Sequence, residues 1–197
     1  MTRTRALRLL LGFLAGLLVW LALSGPYERA LARGAEATLR LFEWPSVTRL
    51  TATDAGIVVA RRDFPPASPR PVLPAKDLHF NFVLLITLFV FDPPAAASAR
   101  FARLLILLFL LFLIHVLALV FQVQSVYATA LGPWSAAHYG KVARNIWAGG
   151  FHFYQVAGRF AAPFALWWVL GRREEEEKPS PPGADQKRRP GRRRRKG

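Results

Sequence analysis

The chain reads as an all-α polytopic membrane protein. It is expected to have about four transmembrane helices, a small extracytoplasmic insert made of a helix and a β-hairpin, and a disordered basic tail. Three observations predict this class. Of 197 residues, 53% are hydrophobic. The apolar residues gather in runs near the roughly 20 residues that a helix needs to cross a bilayer. The basic residues sit mostly between those runs, biased to alternate connections, as the positive-inside rule requires.

The first run is Leu7–Leu23, within a span over 7–24 that follows a cytoplasmic segment at 1–6. Arg3 and Arg5 precede it, Arg8 breaks it near its start, and small residues lie around Ala22–Ser24 at its end, which also fits a secretory signal peptide. Pro26 lies close behind the plausible cleavage point and disfavours processing, so an uncleaved anchor is expected. The second span covers 78–97 around Phe80–Phe91 and leads into a short cytoplasmic turn at 98–103. The third, 104–126, is the most apolar. Its LLILLFLLFLI stretch has no polar side, whereas a surface helix of a soluble domain carries one. The fourth, 151–170, is the least apolar and contains His152, Gln155 and Arg159.

Charge placement then sets the topology. The N-terminal segment has three arginines, the 98–103 turn has Arg100 and Arg103, and residues 171–197 carry eleven basic residues against five acidic ones. Four spans put all three on one side, giving N-in and C-in. The opposite side receives 25–77, with eight basic and six acidic residues, and 127–150, with only Lys141 and Arg144.

Within 25–77, Pro26 can open a helix, and Leu31, Ala35, Thr38, Leu39 and Phe42 recur at helical spacing. Val47–Thr53 and Ile57–Arg61 read as two strands joined by Asp54-Ala55-Gly56. Phe64–Pro74 has five prolines and reads as an extended linker. In 127–150, Tyr139, Val142, Ala143, Ile146 and Trp147 predict an amphipathic interfacial helix that anchors the outer face or docks a partner. The tail from Gly171 combines EEEE, a Pro-Ser-Pro-Pro stretch and RRPGRRRRK, too little apolar surface to fold. It is expected to lie near anionic lipid, with nucleic-acid binding as the weaker alternative.

Composition also excludes chemistry. There are no cysteines, hence no disulfide, thiolate ligand or cysteine nucleophile. No G-x-S-x-G, H-E-x-x-H or P-loop pattern is present. No catalytic, metal or cofactor residues are therefore assigned, and a non-enzyme is expected.

The informative polar residues lie in or near the spans. A charge at mid-bilayer costs about 2.5–3.5 kcal/mol on insertion scales, so it is normally satisfied by something. Arg159 sits about 13 Å of helix rise inside the fourth span. Asn145, His152, Gln155 and Arg159 are spaced seven, three and four apart and share one face of a continuous helix. The third span offers His115 and Gln122, and His79 with Asn81 opens the second. The candidate partner- or ligand-binding set is therefore His115, Gln122, Asn145, His152, Gln155 and Arg159. Interhelical hydrogen bonding is the structural explanation of this set, and recognition of a carboxylate or lipid phosphate the functional one.

Three stretches carry a family resemblance: RALRLLLGFLAGLLVWLALS with ALARGAEATLRLF, then VTRLTATDAGIVVA, then HFNFVLLITLFVFDPP leading into RLLILLFLLFLIHVLALVFQVQSVYA. Their order resembles that of the small bacterial membrane proteins that accompany exosortases, in particular the exosortase H-associated type. The resemblance implies an accessory role in the bacterial inner membrane, beside a polytopic exosortase-like partner, in envelope protein sorting or exopolysaccharide export. Exosortases themselves use Cys, Arg and His; this chain lacks the Cys, so its Arg159 and histidines inherit no catalytic role. Membrane lipid is the other expected partner, and no specific nucleic acid is. The competing reading is a small transporter or lipid-handling subunit. It would call for internal repeats or broken spans, of which only Gly158 and Pro163 give a hint.

Overall fold

The computed structural model describes residues 3–43, 47–63, 70–91 and 97–176. These form a mostly helical molecule with a small three-stranded sheet. The helices are α1 (Arg3–Phe42), α2 (Lys76–His79), α3 (Asn81–Phe91), α4 (Ala97–Thr129), α5 (Pro133–His138), α6 (Lys141–Phe153) and α7 (Arg159–Glu176). A π-helical turn, Tyr154–Gly158, joins the last two without a break. Two helical segments, Ala6–Phe42 and Arg100–Thr129, are long and apolar enough to cross a membrane.

The expected boundary at residue 25 is not a helix end. α1 runs through Pro26 for 40 residues. A proline inside a helix removes one N–H, here the donor to the Ala22 carbonyl, yet its fixed φ remains helical. Pro26 therefore lies within one long helix instead of opening a second. Beyond it, Leu31, Ala35 and Leu39 are buried at three-to-four spacing.

The hairpin forms where it is expected. β1 (Thr48–Thr53) and β2 (Gly56–Arg61) pair antiparallel, from Thr48 opposite Arg61 to Thr53 opposite Gly56. Gly56 has φ +129°, the region that favours glycine, and closes the turn. The Pro-rich linker contributes something the sequence reading lacked: β3 (Val72–Leu73) adds to the free edge of β2. Residues 64–69 of that linker lie outside the described residues, as do 92–96 at the end of the second expected span and 177–197 of the tail.

The sheet lies against the second half of α1. Leu50, Ile57, Val59 and Leu73 form one core with Leu31, Leu39, Leu78, Leu119, Val123 and Tyr127. Full burial of such side chains is worth about 1.5–3 kcal/mol each where the alternative is water. A second cluster joins Phe82, Leu85 and Phe89 of α3 to Leu107 and Leu111 of α4, with Leu166 and Trp167 of α7 against it. Here α1 approaches closely. A Cβ on Gly12 would come within 3.1 Å of the Val90 side chain and one on Gly16 within 3.0 Å of the Val83 carbonyl, closer than ordinary contact, so small residues at these positions permit the approach.

The expected single interfacial helix is two. α4 ends in a turn at Gly132 (φ +57°), and Pro133 opens α5. Ser135 Oγ accepts from Leu131 N–H at 3.0 Å and donates to the Tyr127 carbonyl at 2.7 Å, which fixes the turn. Tyr139 is extended and breaks the helix, and its hydroxyl donates to Gln124 Oε1 at 2.7 Å. α6 then continues through the π turn into α7, giving one helical path from Lys141 to Glu176.

Candidate functional site

The six expected site residues do not form one site. Asn145, His152 and Gln155 line one open groove of about 580 Å³ on α6, with Ala148, Gly149 and Phe151. His115 and Gln122 are buried on α4. Arg159 does not line the groove. The reason is the π turn, whose extra residue per turn rotates the chain after Gly158 relative to α6. Its side chain is half-buried, with the guanidinium 5.0 Å from the Phe160 ring centre. Among the described residues no carboxylate pairs with it.

The π turn has its own cause. Tyr154 is buried, and its hydroxyl donates to the Leu78 carbonyl at 2.8 Å. A Cβ on Gly158 would come within 2.9 Å of the Tyr154 ring. Glycine at 158 therefore lets the Tyr154 ring lie against the helix.

His115 sits at the centre of a directional hydrogen-bond chain. Pro163 has no N–H, so the Arg159 carbonyl four residues earlier loses its helical donor. Asn81 Nδ2 donates to that carbonyl at 2.8 Å. The carbonyl only accepts, which turns the Asn81 oxygen toward His115. His115 Nε2 therefore carries hydrogen and donates to Asn81 Oδ1 at 2.7 Å. His115 Nδ1 is then the acceptor for the Tyr27 hydroxyl at 2.5 Å. Four side chains or backbone groups, from α1, α4, α3 and α7, are thus connected with one polarity.

A second chain runs beside it. Trp20 Nε1 donates to His79 Nδ1 at 2.9 Å. An indole N–H only donates, so Nδ1 is bare and Nε2 carries the hydrogen. Nε2 faces Glu28 Oε1 at 3.3 Å. His79 is 1% exposed and Glu28 4%, so this pair is enclosed. The Tyr27 ring lies 5.1 Å from that of His79 and 5.8 Å from that of His115, which makes it the divider between the two chains.

Trp20 and Glu28 are functional candidates that sequence reading missed. Tyr27 and Glu28 lie seven and eight residues beyond Trp20, close to one helix face, and Glu28 is an acid followed by the buried apolar positions Leu31 and Ala35. That pattern was the available signal. Glu28 also borders a polar pocket of about 300 Å³ with Arg29, Asp54 and Lys76.

Gln122 lies outside these two chains. It is 5% exposed, and its Oε1 has no hydrogen-bond partner among the described residues.

Farther out, Arg61 closes the open end of the hairpin. It pairs with Asp63 at 2.8 Å and with Glu43 at 3.5 Å. Its guanidinium lies 4.9 Å from the Tyr127 ring centre and 5.1 Å from that of Trp134. Burial pulls the Arg61 pKa down, but the Asp63 bond and charge, with Tyr127 and Glu43, outweigh it and hold it above its ordinary value. The same bond holds the Asp63 carboxyl below the usual carboxylate range.

Compared with known proteins, the chain matches no family model, no curated protein and no solved structure.

Proposed function

We propose that the chain is a four-span protein of the bacterial cytoplasmic membrane, with its basic N- and C-terminal segments inside, and that it works as a non-catalytic interaction subunit. The depth of the polar layer supports crossings by α1, α4 and α7. Twelve residues separate Arg8 from Trp20 and Arg103 from His115, and thirteen separate Arg159 from Arg172. On three helices the polar layer is thus about 18–20 Å of helix rise from a basic boundary. A hydrocarbon core is about 30 Å thick, so the layer lies inside it and is satisfied by its own members, as lipid requires.

The observation that carries the interaction role is the outer surface of α6 and α7. Val142, Ile146, Phe153, Val156, Phe160, Phe164 and Trp168 are exposed along it. Beside this apolar stripe the groove presents Asn145, His152 and Gln155. Polar side chains on a membrane-level surface are satisfied most readily by a partner helix. The family resemblance makes an exosortase-like enzyme the first partner to try. Co-purification in mild detergent tests this, with the Asn145→Leu, His152→Leu and Gln155→Leu variants combined. Loss of a polytopic partner at unchanged protein level supports the interaction role. A monodisperse lone protein that retains lipid in both forms argues for the lipid-handling reading instead.

A further inference from the structure

A basic pocket at the open end of the hairpin is not used by the polar layer or by the α6 groove. It has a volume of about 240 Å³ and is lined by Arg40, Arg49, Arg61, Arg62 and Arg70, with Val47, Thr48 and Ala60. Among the described residues, Glu36 pairs with Arg40, and Glu43 and Asp63 pair with Arg61. Arg49, Arg62 and Arg70 are exposed, and among the described residues no carboxylate pairs with them. Three guanidiniums held around one concavity repel each other unless an anion lies between them, and the planar forks match phosphate oxygens.

Position selects the source of the phosphate. Thr48, which lines the pocket, hydrogen-bonds the Tyr127 hydroxyl at 2.9 Å, and Arg61 stacks on the same ring. Tyr127 is 24 residues beyond Arg103, about 36 Å along α4. Measured from the inner boundary, that is just past a hydrocarbon core of about 30 Å and within the headgroup layer. We infer that this pocket binds the headgroup of an anionic phospholipid in the outer leaflet, with Arg49, Arg62 and Arg70 contacting the phosphate and Arg61 held by Asp63 and Glu43 as its rigid wall. The inference rests on the membrane-spanning reading.

The test uses the full chain, extracted in non-ionic detergent and titrated with phosphatidylglycerol, phosphatidylcholine or pyrophosphate under native mass spectrometry. Phosphatidylglycerol is expected to remain bound, with phosphatidylcholine and pyrophosphate much weaker. Combined Arg49→Gln, Arg62→Gln and Arg70→Gln should weaken phosphatidylglycerol roughly a hundredfold. Arg70→Gln alone should weaken it about fivefold, which serves if the triple variant does not fold. Equal retention by wild type and variants, or equal binding of the two lipids, overturns the site. Pyrophosphate binding as tight as phosphatidylglycerol, with the same arginine dependence, overturns the lipid assignment in favour of a soluble phosphate. Alkaline carbonate washing of membranes separates this result from the underlying reading. A washed-out protein refutes the spanning model itself, whereas a retained protein without lipid selectivity refutes the headgroup site alone.

Discussion

Asn81 donates its side-chain N–H to the backbone carbonyl of Arg159 at 2.8 Å. This is the carbonyl that Pro163 leaves without a donor in its own helix. One side chain on α3 therefore repairs a helix defect on α7, and in doing so it fixes the polarity of the bonds through His115 to Tyr27. The proline inside α7 and the buried histidine are parts of one arrangement.

The dependence can be measured. Asn81→Leu should destabilise the protein by about 1–2 kcal/mol, because it strands both the Arg159 carbonyl and His115 Nε2. Pro163→Ala restores the helical N–H to that carbonyl. In the Pro163→Ala background the cost of Asn81→Leu should fall by at least about 0.5 kcal/mol. Unfolding in detergent of the four forms gives the coupling directly. Strict additivity would mean that the Asn81–Arg159 bond does not compensate for the proline.

Gly56 is the one turn residue whose identity the sheet demands. Its φ is +129°, and an added Cβ would overlap the Leu73 carbonyl oxygen of β3. Gly56→Ala should cost about 3 kcal/mol and loosen the β2–β3 edge. Gly140→Ala is the control, since nothing lies within 4 Å of its Cβ position and its φ of −67° suits any residue. Gly140 caps the start of α6, where alanine is the poorer residue, so the effect should be up to about 1 kcal/mol. Equal losses in thermal unfolding would refute the backbone argument.

Asp63 makes the hairpin end sensitive to acid. Arg61 holds the folded carboxyl below its unfolded value, so the unfolded chain binds the proton more tightly. The contribution is complete above about pH 4 and fades as pH falls through the lower, folded value. Asp63→Asn should remove this part of the acid dependence. Amide exchange across β1 and β2, followed from neutral to acid pH, reads it. Identical pH profiles for the variant and wild type would show that the pair does not stabilise the hairpin.

The elements legible in the sequence were those with local causes. The alternation in Val47–Thr53 and Ile57–Arg61 marks β1 and β2 to within a residue, and the apolar run 104–126 lies inside α4, which begins at Ala97 and takes in the expected turn at 98–103. Pro26 was misleading because a proline is compatible both with a helix start and with a helix interior. β3 was hidden because two residues among five prolines carry no period, and only the β2 edge makes them a strand. The site was half legible. Asn145 and His152 share a face because α6 is regular up to Phe153, and Gln155 early in the π turn still lines the same groove, but the π turn that removes Arg159 from it depends on Tyr154 reaching Leu78, 76 residues away in sequence. The Trp20–His79–Glu28 chain links positions 59 and 51 residues apart, which no spacing rule reaches.

Arg159 separates backbone from side-chain function within one residue. Its carbonyl takes part in the polar layer, while its guanidinium, half-buried against Phe160, has no acidic partner among the described residues. Arg159→Leu keeps the carbonyl and removes the charge. Insertion should become easier by about 2.5–3.5 kcal/mol if the residue lies at mid-span, and less nearer the interface. Thermal stability should hold or rise, because the Asn81 bond survives. A glycosylation-reporter insertion assay and a detergent melt measure the two effects separately. If Arg159→Leu instead lowers stability as much as Asn81→Leu does, the guanidinium is a structural member of the layer. If it leaves folding intact but abolishes partner co-purification, the charge on α7 belongs to the recognition surface with Asn145, His152 and Gln155.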